Sequence, residues 1–380
     1  MDSVSPFSTE TPRTECPVVR LTIEPHDNAD ALELAAVGGY RAVVVKDRYR
    51  TGDLAVYIPE GSVVPEYLQE RLGLVGRLAG SQKNRVKAIR LRGVLSQGLV
   101  VPLEREGGDH VLVNGDGERS VVHEGDDVAA FLDVEKYVPP VPDAMVGAVW
   151  AAGHERTLAY DVENVKRWPE VLTPGEPVVM TEKVHGTLLG CGVMPESLAH
   201  PDHGRVVIFS KGLGAKGLAF DLSDGARNVY ARAVRDHAVV EAIETAFAAE
   251  IQEMPVFVVA EVYGPGVQDL TYGEDLGLRV FDVYVGRRGE GAYLDDAALD
   301  DACEAMGLAR VPIVYRGPYS EAALAAHTSG RETVSGTDAH LREGVVVRPT
   351  AERDDPALGR VQLKSVSDDY LTRKGGTEYT

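Results

Sequence analysis

Three prolines crowd into Val138-Pro139-Pro140-Val141-Pro142-Asp143, and neither a helix nor a central strand can run through them. Such a segment is stiff and extended, so it separates independently packed parts of a chain. A length of 380 residues is enough for two or three domains. The break therefore sets the expected organisation: a flexible polar tail over residues 1–15, a first module over 16–140 and a second domain over 141–380.

The first module reads as short strands. Val18–Ile23, Tyr40–Lys46, Leu54–Ile58, Arg85–Arg92 and Gly98–Pro102 are β-branched or alternating runs separated by turn residues such as Thr51-Gly52. A short helix is expected over Ala31–Ala35. Strands at this spacing suggest a small closed barrel. The second domain mixes strands at Val178–Met180, Arg205–Phe209, Val256–Val262, Leu278–Tyr284, Val345–Arg348 and Arg360–Leu363 with helices over Asp224–Met254 and Asp295–Met306. Gly307 closes the second helix. Strands and helices do not alternate regularly, so the fold class is α+β with antiparallel sheets.

Composition narrows the function classes. No apolar run approaches the ~20 residues that span a bilayer, and Met1–Glu15 carries no apolar signal core. Cys16, Cys191 and Cys303 are far apart and odd in number, which fits neither a disulfide framework nor a zinc site. The expectation is a cytoplasmic protein with no membrane partner, and a monomer. A formal charge of −20 argues against a protein that coats nucleic acid non-specifically. It leaves room for a local basic cleft on an acidic body. The basic residues Arg41, Lys46, Arg48, Lys83, Arg85, Lys87, Arg90 and Arg92 form one local patch, fit for a nucleic-acid duplex or simply the solvated faces of twisted strands.

The chemistry concentrates in Thr181-Glu182-Lys183-Val184-His185-Gly186-Thr187. A strand delivers Lys183 into a tight turn, which holds its amine on a rigid element. A nucleophilic lysine must be unprotonated, and with an ordinary pKa near 10.4 fewer than about one amine in a thousand is neutral at pH 7. Burial or a neighbouring cation shifts that balance. Alone, the tetrapeptide Lys183–Gly186 also fits a solvated lysine at a strand end.

Its surroundings decide otherwise. Glu182–Thr187 resembles the nucleotidyl-transfer motif of covalent nucleotidyltransferases, with a histidine where DNA ligases and capping enzymes carry aspartate. That variant resembles the phage type-two RNA ligase and trypanosome editing-ligase branch. Further blocks follow in the family's order: Ser210-Lys211 through Gly217, Glu261–Gln268, Phe281–Tyr284, Glu343–Val347 and Gln362-Leu363-Lys364. The resemblance implies an antiparallel-sheet adenylyltransferase domain, unrelated to the ATP-grasp fold, that takes ATP with Mg2+ or Mn2+.

It also implies roles. Lys183 is the nucleophile, carrying AMP covalently. Lys364 places positive charge at the α-phosphate, where it stabilises the transition state. His185 serves the steps after lysine adenylylation. Glu343 and Glu261 are metal ligands, Glu343 also counting among the catalytic groups. Glu182, Gly186, Glu261, Lys211 and Lys216 contact the nucleotide, and Phe281 stacks on adenine, or packs as ordinary core. Lys211 and Lys216 flank Gly212-Leu213-Gly214-Ala215-Lys216-Gly217, which fits G-x-G-x-x-G. Without a βαβ context that match does not make a dinucleotide fold, and the two lysines suit phosphate or RNA contact, or a solvated loop. One departure stands out: many relatives carry a lysine where this chain has Gln362.

Domain order selects among ligases. Only 16 residues follow Lys364, too few for a trailing OB-fold, and the strand-rich module comes first. That order, and the ending Ser365–Leu371, resemble the Deinococcus-type, or fifth, RNA ligase family, which implies that the first module, 16–140, is an OB-like nucleic-acid-binding module. The implied function is RNA repair: ATP-dependent sealing of 3′-OH/5′-phosphate ends, at nicks in duplexes with an RNA 3′-OH. The alternatives are a capping-type or end-adenylating nucleotidyltransferase, and a non-catalytic RNA-binding protein.

Overall fold

The computed structural model describes residues 14–138, 141–222, 227–273 and 275–373. All but the end of the expected 1–15 tail lies outside them. The chain parts into two compact units at Val138/Pro139.

In the first unit, Val18–Arg20 pairs with Leu54–Ile58, which pairs in turn with Leu99–Pro102. After Leu21 the chain continues as Thr22–Pro25 and pairs instead with Leu32–Val37, itself paired with Tyr40–Val45. One bent strand thus serves two small sheets, the device that curls a short sheet toward a barrel. Val56, Ile58, Leu68, Val101 and Leu112 fill one core, and Leu21, Ala35, Ala42 and Tyr57 another. The helix expected at Ala31–Ala35 is a strand, Leu32–Val37. Its Ala and Leu content favours helix, but hairpin pairing with Tyr40–Val45 across Gly38, at φ 54°, prevails. Of the strand expected over Arg85–Arg92 only Ile89–Leu91 is regular, paired with Val94–Ser96.

The second unit holds two five-stranded sheets. One runs in the order Glu163–Asn164, Leu363–Val366, Gly344–Pro349, Pro177–Glu182, Ile313–Pro318. The other runs Val206–Ser210, Thr187–Val193, Val256–Tyr263, Gly277–Val285, Ala292–Tyr293. Pairing is antiparallel except where Glu163–Asn164 meets Leu363–Lys364. The α+β expectation holds. The helix Asp296–Met306 ends at Gly307 in the left-handed region, as its sequence requires.

Two expectations fail here. The helix placed over Asp224–Met254 is three pieces, Val229–Asp236, Val239–Ala246 and a 3-10 turn at Glu250–Gln252. Ala238 at φ 50° turns the chain between the first two, while Asn228 caps the first through Ala231 N. Residues 223–226 lie outside the described residues. The strand placed over Arg360–Leu363 divides at Val361: Gly359–Arg360 pairs with Asp354–Asp355, and Leu363–Val366 with Gly344–Val347. Among the described residues no helix is long and apolar enough to cross a membrane.

Candidate active site

The chain leaves the first sheet of the second unit at Glu182 and enters the second sheet at Thr187, so Lys183–Gly186 is the seam between them. Lys183 N donates to Gly344 O at 2.9 Å, which fixes the start of the turn. The turn closes at Gly186, where no side chain fits: a Cβ there would lie 2.2 Å from Val262 O and 2.9 Å from Glu261 Cγ. Gln268 Nε2 donates to Gly186 O from the far side.

Lys183 Nζ lies 2.5 Å from Glu343 Oε1. Burial pushes the Glu343 carboxyl up, but Lys183 and a hydrogen bond from His185 outweigh it and hold it at about 2. Glu261 goes the other way. Burial pushes it up to about 8, and the Glu343 charge adds to that despite the pull of Lys183. Lys364 sits among the same charges, and burial, with Lys183 and Lys211 beside it, brings its amine down to about 8. Lys211 Nζ pairs with Asp161 Oδ1 at 2.8 Å. Three carboxylates and three amines thus converge on the seam.

His185 is 2 % exposed. Its Nε2 lies 2.9 Å from Asp269 Oδ1; a carboxylate only accepts, so this nitrogen carries a proton. Its Nδ1 faces the Tyr370 hydroxyl at 2.6 Å and Glu343 Oε2 at 3.5 Å. Arg373 Nη2 backs Asp269 at 3.1 Å. Lys183 and His185 therefore hold opposite oxygens of one carboxylate, and the ring is itself fixed from behind.

The arrangement offers a nucleophile on a rigid turn, cations for a bound phosphate and paired carboxylates for a hard cation. A family model described as RNA ligase matches residues 176–366, half of the chain, and a model of an OB-fold domain matches residues 18–103. The chain belongs to the RNA ligase family. Its first unit is the OB-fold domain and its second the ligase domain. Solved structures of Naegleria gruberi RNA ligase share the architecture. The form with PPi has a TM-score of 0.71 at 20% identity, over 94% of this chain and 98% of that one. A mutant with AMP and Mn gives the same four values, and a mutant with ATP and Mn a TM-score of 0.69 at 20% identity over the same shares. At this identity the likeness concerns the fold. Comparison with curated proteins gave no match.

The ligase gathers Lys183, His185, Glu343, Glu261, Lys364 and Lys211 at the seam. Gly186 closes its turn. Glu182 points elsewhere: its Oε2 accepts from Thr333 N at 2.8 Å and Thr333 Oγ1 at 2.7 Å, and burial raises its pKa. Its Oε1 is buried with no hydrogen-bond partner among the described residues. Lys216 is exposed at the end of the five-residue helix Lys211–Ala215, outside the cluster. That helix leads to Leu218–Phe220, which pairs antiparallel with Val149–Ala151, so the glycine-rich stretch has no βαβ setting. Phe281 is the extra residue of a β-bulge, since Val259 pairs with Asp282 and Ala260 with Val280. The bulge re-aims its ring, which lies 5.2 Å from that of Tyr160.

Gln362 belongs to a separate buried hydrogen-bond network. Its Oε1 accepts from Tyr160 OH at 2.8 Å and Arg360 Nη1 at 3.0 Å. Asp282, fully buried, takes Arg348 Nη1 at 2.9 Å and Arg360 Nη1 at 2.8 Å. Reading the sequence did not find Asp161, Asp269, Arg373, the hydroxyl of Tyr370, or Tyr272, whose hydroxyl accepts from His185 N at 2.7 Å, as part of the site. The one available signal was Tyr370's place in the Ser365–Leu371 ending.

Proposed function

We propose that the ligase seals RNA 3′-OH/5′-phosphate ends with ATP, through lysyl-AMP on Lys183, as a Deinococcus-type enzyme acting on nicks with an RNA 3′-OH. The observation that carries this is the Lys183–Glu343 pair at the seam, with Lys364 and Lys211 beside it. Naegleria gruberi RNA ligase structures that hold ATP or AMP with Mn support the choice of nucleotide. Lys183 Nζ attacks the α-phosphorus, forming a P–N bond while pyrophosphate leaves. An RNA 5′-phosphate oxygen then attacks that phosphorus, the P–N bond breaks and the amine regains a proton. Finally the 3′-OH attacks the activated 5′-phosphate and AMP departs.

Glu343 and Glu261 fit a divalent cation such as Mg2+ or Mn2+, because both offer oxygen donors and a cation would offset the burial that, with the Glu343 charge, raises Glu261. Bound there, it would neutralise charge on the triphosphate. Lys364 and Lys211 place fixed positive charge where the phosphates lie, and Lys183 is held by its turn rather than by a flexible loop. Phe281 supplies the plane for adenine. Three buried thiols, none in a disulfide, suit a reducing cytoplasm.

The test is incubation with α-labelled ATP and Mg2+ or Mn2+, then denaturing electrophoresis of wild type beside Lys183→Ala. A label that survives denaturation in wild type and vanishes in the variant is the expected result. No label on wild type, after pyrophosphate treatment has discharged any preformed adenylate, would reject the reading and leave a non-catalytic RNA-binding protein. Label without sealing of nicked RNA would point to an end-adenylating enzyme.

A further inference from the structure

Two charged pairs meet where the strand Pro177–Glu182 ends and the strand Gly344–Pro349 begins. Lys183 pairs with Glu343 at 2.5 Å. Their chain neighbours form a second pair, with Arg342 Nε 3.6 Å from Glu182 Oε2. Adjacent residues of an extended chain point to opposite sides, so the second pair stands behind the first with its charges reversed. One segment carries acid then base, the other base then acid. The Glu182 side chain is fully buried and that of Arg342 nearly so. Burial raises the Glu182 carboxyl, while Thr333 and then Arg342 draw it back.

Arg342 and Thr333 belong to the segment 329–342, which links the helix Glu321–Thr328 to Glu343. That segment is closed on itself. Arg342 N donates to Gly330 O at 2.9 Å, and Arg331 bridges Leu341. Inside it the buried Glu332 accepts from Ser335 N at 2.9 Å and Ala339 N at 2.8 Å. Arg342 Nη1 donates to His327 O at 2.9 Å, which ties the segment to the end of its helix. A segment held in this way shifts as a unit, so whatever grips it decides where Glu343 arrives. Glu182 grips it twice, through the Thr333 amide and hydroxyl at 2.8 and 2.7 Å and through the charge of Arg342. A buried pair adds little net stability, because desolvation offsets attraction, but either charge left alone is costly. Its effect is to favour one register over its neighbours.

We propose that Glu182 and Arg342 are positioning residues that, paired behind the seam, fix Glu343 against Lys183 and so set the rate of lysine adenylylation without touching the nucleotide. This rests on the reading of Lys183 as the nucleophile.

The test uses the full chain. Single-turnover lysyl-AMP formation is followed with α-labelled ATP in Glu182→Gln, Arg342→Met, the double variant, Thr333→Val and Thr333→Ser, each well below its own Tm. Either charge variant leaves one buried ion alone, and a shift near 1 Å in Glu343 predicts a fall of about 10²-fold in the rate at saturating ATP, with KM for ATP unchanged. The double variant strands no charge and is expected to run about tenfold faster than either single. Thr333 is exposed, so Thr333→Val keeps the fold while removing one hydrogen bond, and should lose about tenfold. Thr333→Ser keeps the hydroxyl and the wild-type rate. Wild-type rates in Glu182→Gln and Thr333→Val would overturn the inference. So would losses that multiply in the double variant, which mark independent roles, or a raised KM at an unchanged saturated rate, which would put Glu182 on the nucleotide. Denaturant titrations of the same proteins separate the two readings. If wild type forms no lysyl-AMP while the double variant is still more stable than either single, the ligase reading falls and the pair stands.

Discussion

Gln362→Lys restores the lysine that many relatives carry, and the structure says it will do harm. Gln362 is 6% exposed, and its Oε1 takes hydrogen bonds from Tyr160 and Arg360. The surrounding charges already balance: Arg348 and Arg360 face Asp282 and Glu352, with Arg360 Nε 2.7 Å from Glu352 Oε2. A lysine brings a third cation with no anion left for it and removes the oxygen that accepts from Arg360, while the Tyr160 hydroxyl keeps Asp282 as its acceptor. An uncompensated buried charge costs about 3–5 kcal/mol. In a domain of this size each kcal/mol moves Tm by about 2–4 °C, so the expected fall is roughly 6–20 °C. The assay pairs thermal unfolding with the rate of lysyl-AMP formation. Gln362→Met serves as control; it loses the acceptor without adding charge and should cost only about 1–3 kcal/mol. Faster adenylylation by Gln362→Lys at wild-type Tm would show that this side chain reaches the nucleotide, and would refute its assignment to the buried network.

Gly186→Ala must displace Val262 O or Glu261, given a Cβ 2.2 Å from the former; a shift near 1 Å at the reacting groups predicts a loss of about 10²-fold in adenylylation, read from single-turnover labelling. Tyr370→Phe removes the hydroxyl 2.6 Å from His185 Nδ1. It should slow transfer of AMP from Lys183 to the RNA 5′-phosphate about tenfold, the rate equivalent of one hydrogen bond, with lysyl-AMP formation and KM for ATP unchanged; a slowed lysyl-AMP formation would count against this role. Burial pushes the Asp282 carboxyl up, but Arg360 and Arg348 outweigh it and hold it below its ordinary value. A depressed carboxyl contributes stability above its unfolded pKa, about 3.9, and loses it as pH falls through the folded value. Wild type should therefore lose stability on acidification below about pH 4, and Asp282→Asn, weaker at neutral pH, should show a flatter acid limb in denaturant titrations; equal slopes would refute this.

Features set by neighbouring residues were legible in the sequence. The left-handed Gly307 ends its helix, and the β-branched runs at Val256–Val262 and Leu278–Tyr284 are strands because antiparallel pairing in a buried sheet suits them. The order of motif blocks pointed to Lys183, Glu343, Glu261 and Lys364. What resisted was decided by distant partners. Ala31–Ala35 has the residues of a helix but a hairpin partner that overrides them. The grip on His185 comes from Asp269, 84 residues on, and Tyr370, 185 residues on. No spacing rule connects them, because they meet only once both sheets are formed. Gln362 looked like a gap in a motif and is part of a buried charge cluster whose members span residues 160–362.

The contact between Tyr370 and His185 also bears on when the enzyme becomes active during synthesis. The seam that carries Lys183 emerges from the ribosome before Glu343, and Glu343 before Tyr370 and Arg373. Until those last residues are out, the lysine lacks its carboxylate or the imidazole lacks its clamp. A nascent chain can complete its OB-fold unit while the seam still lacks the residues that close it.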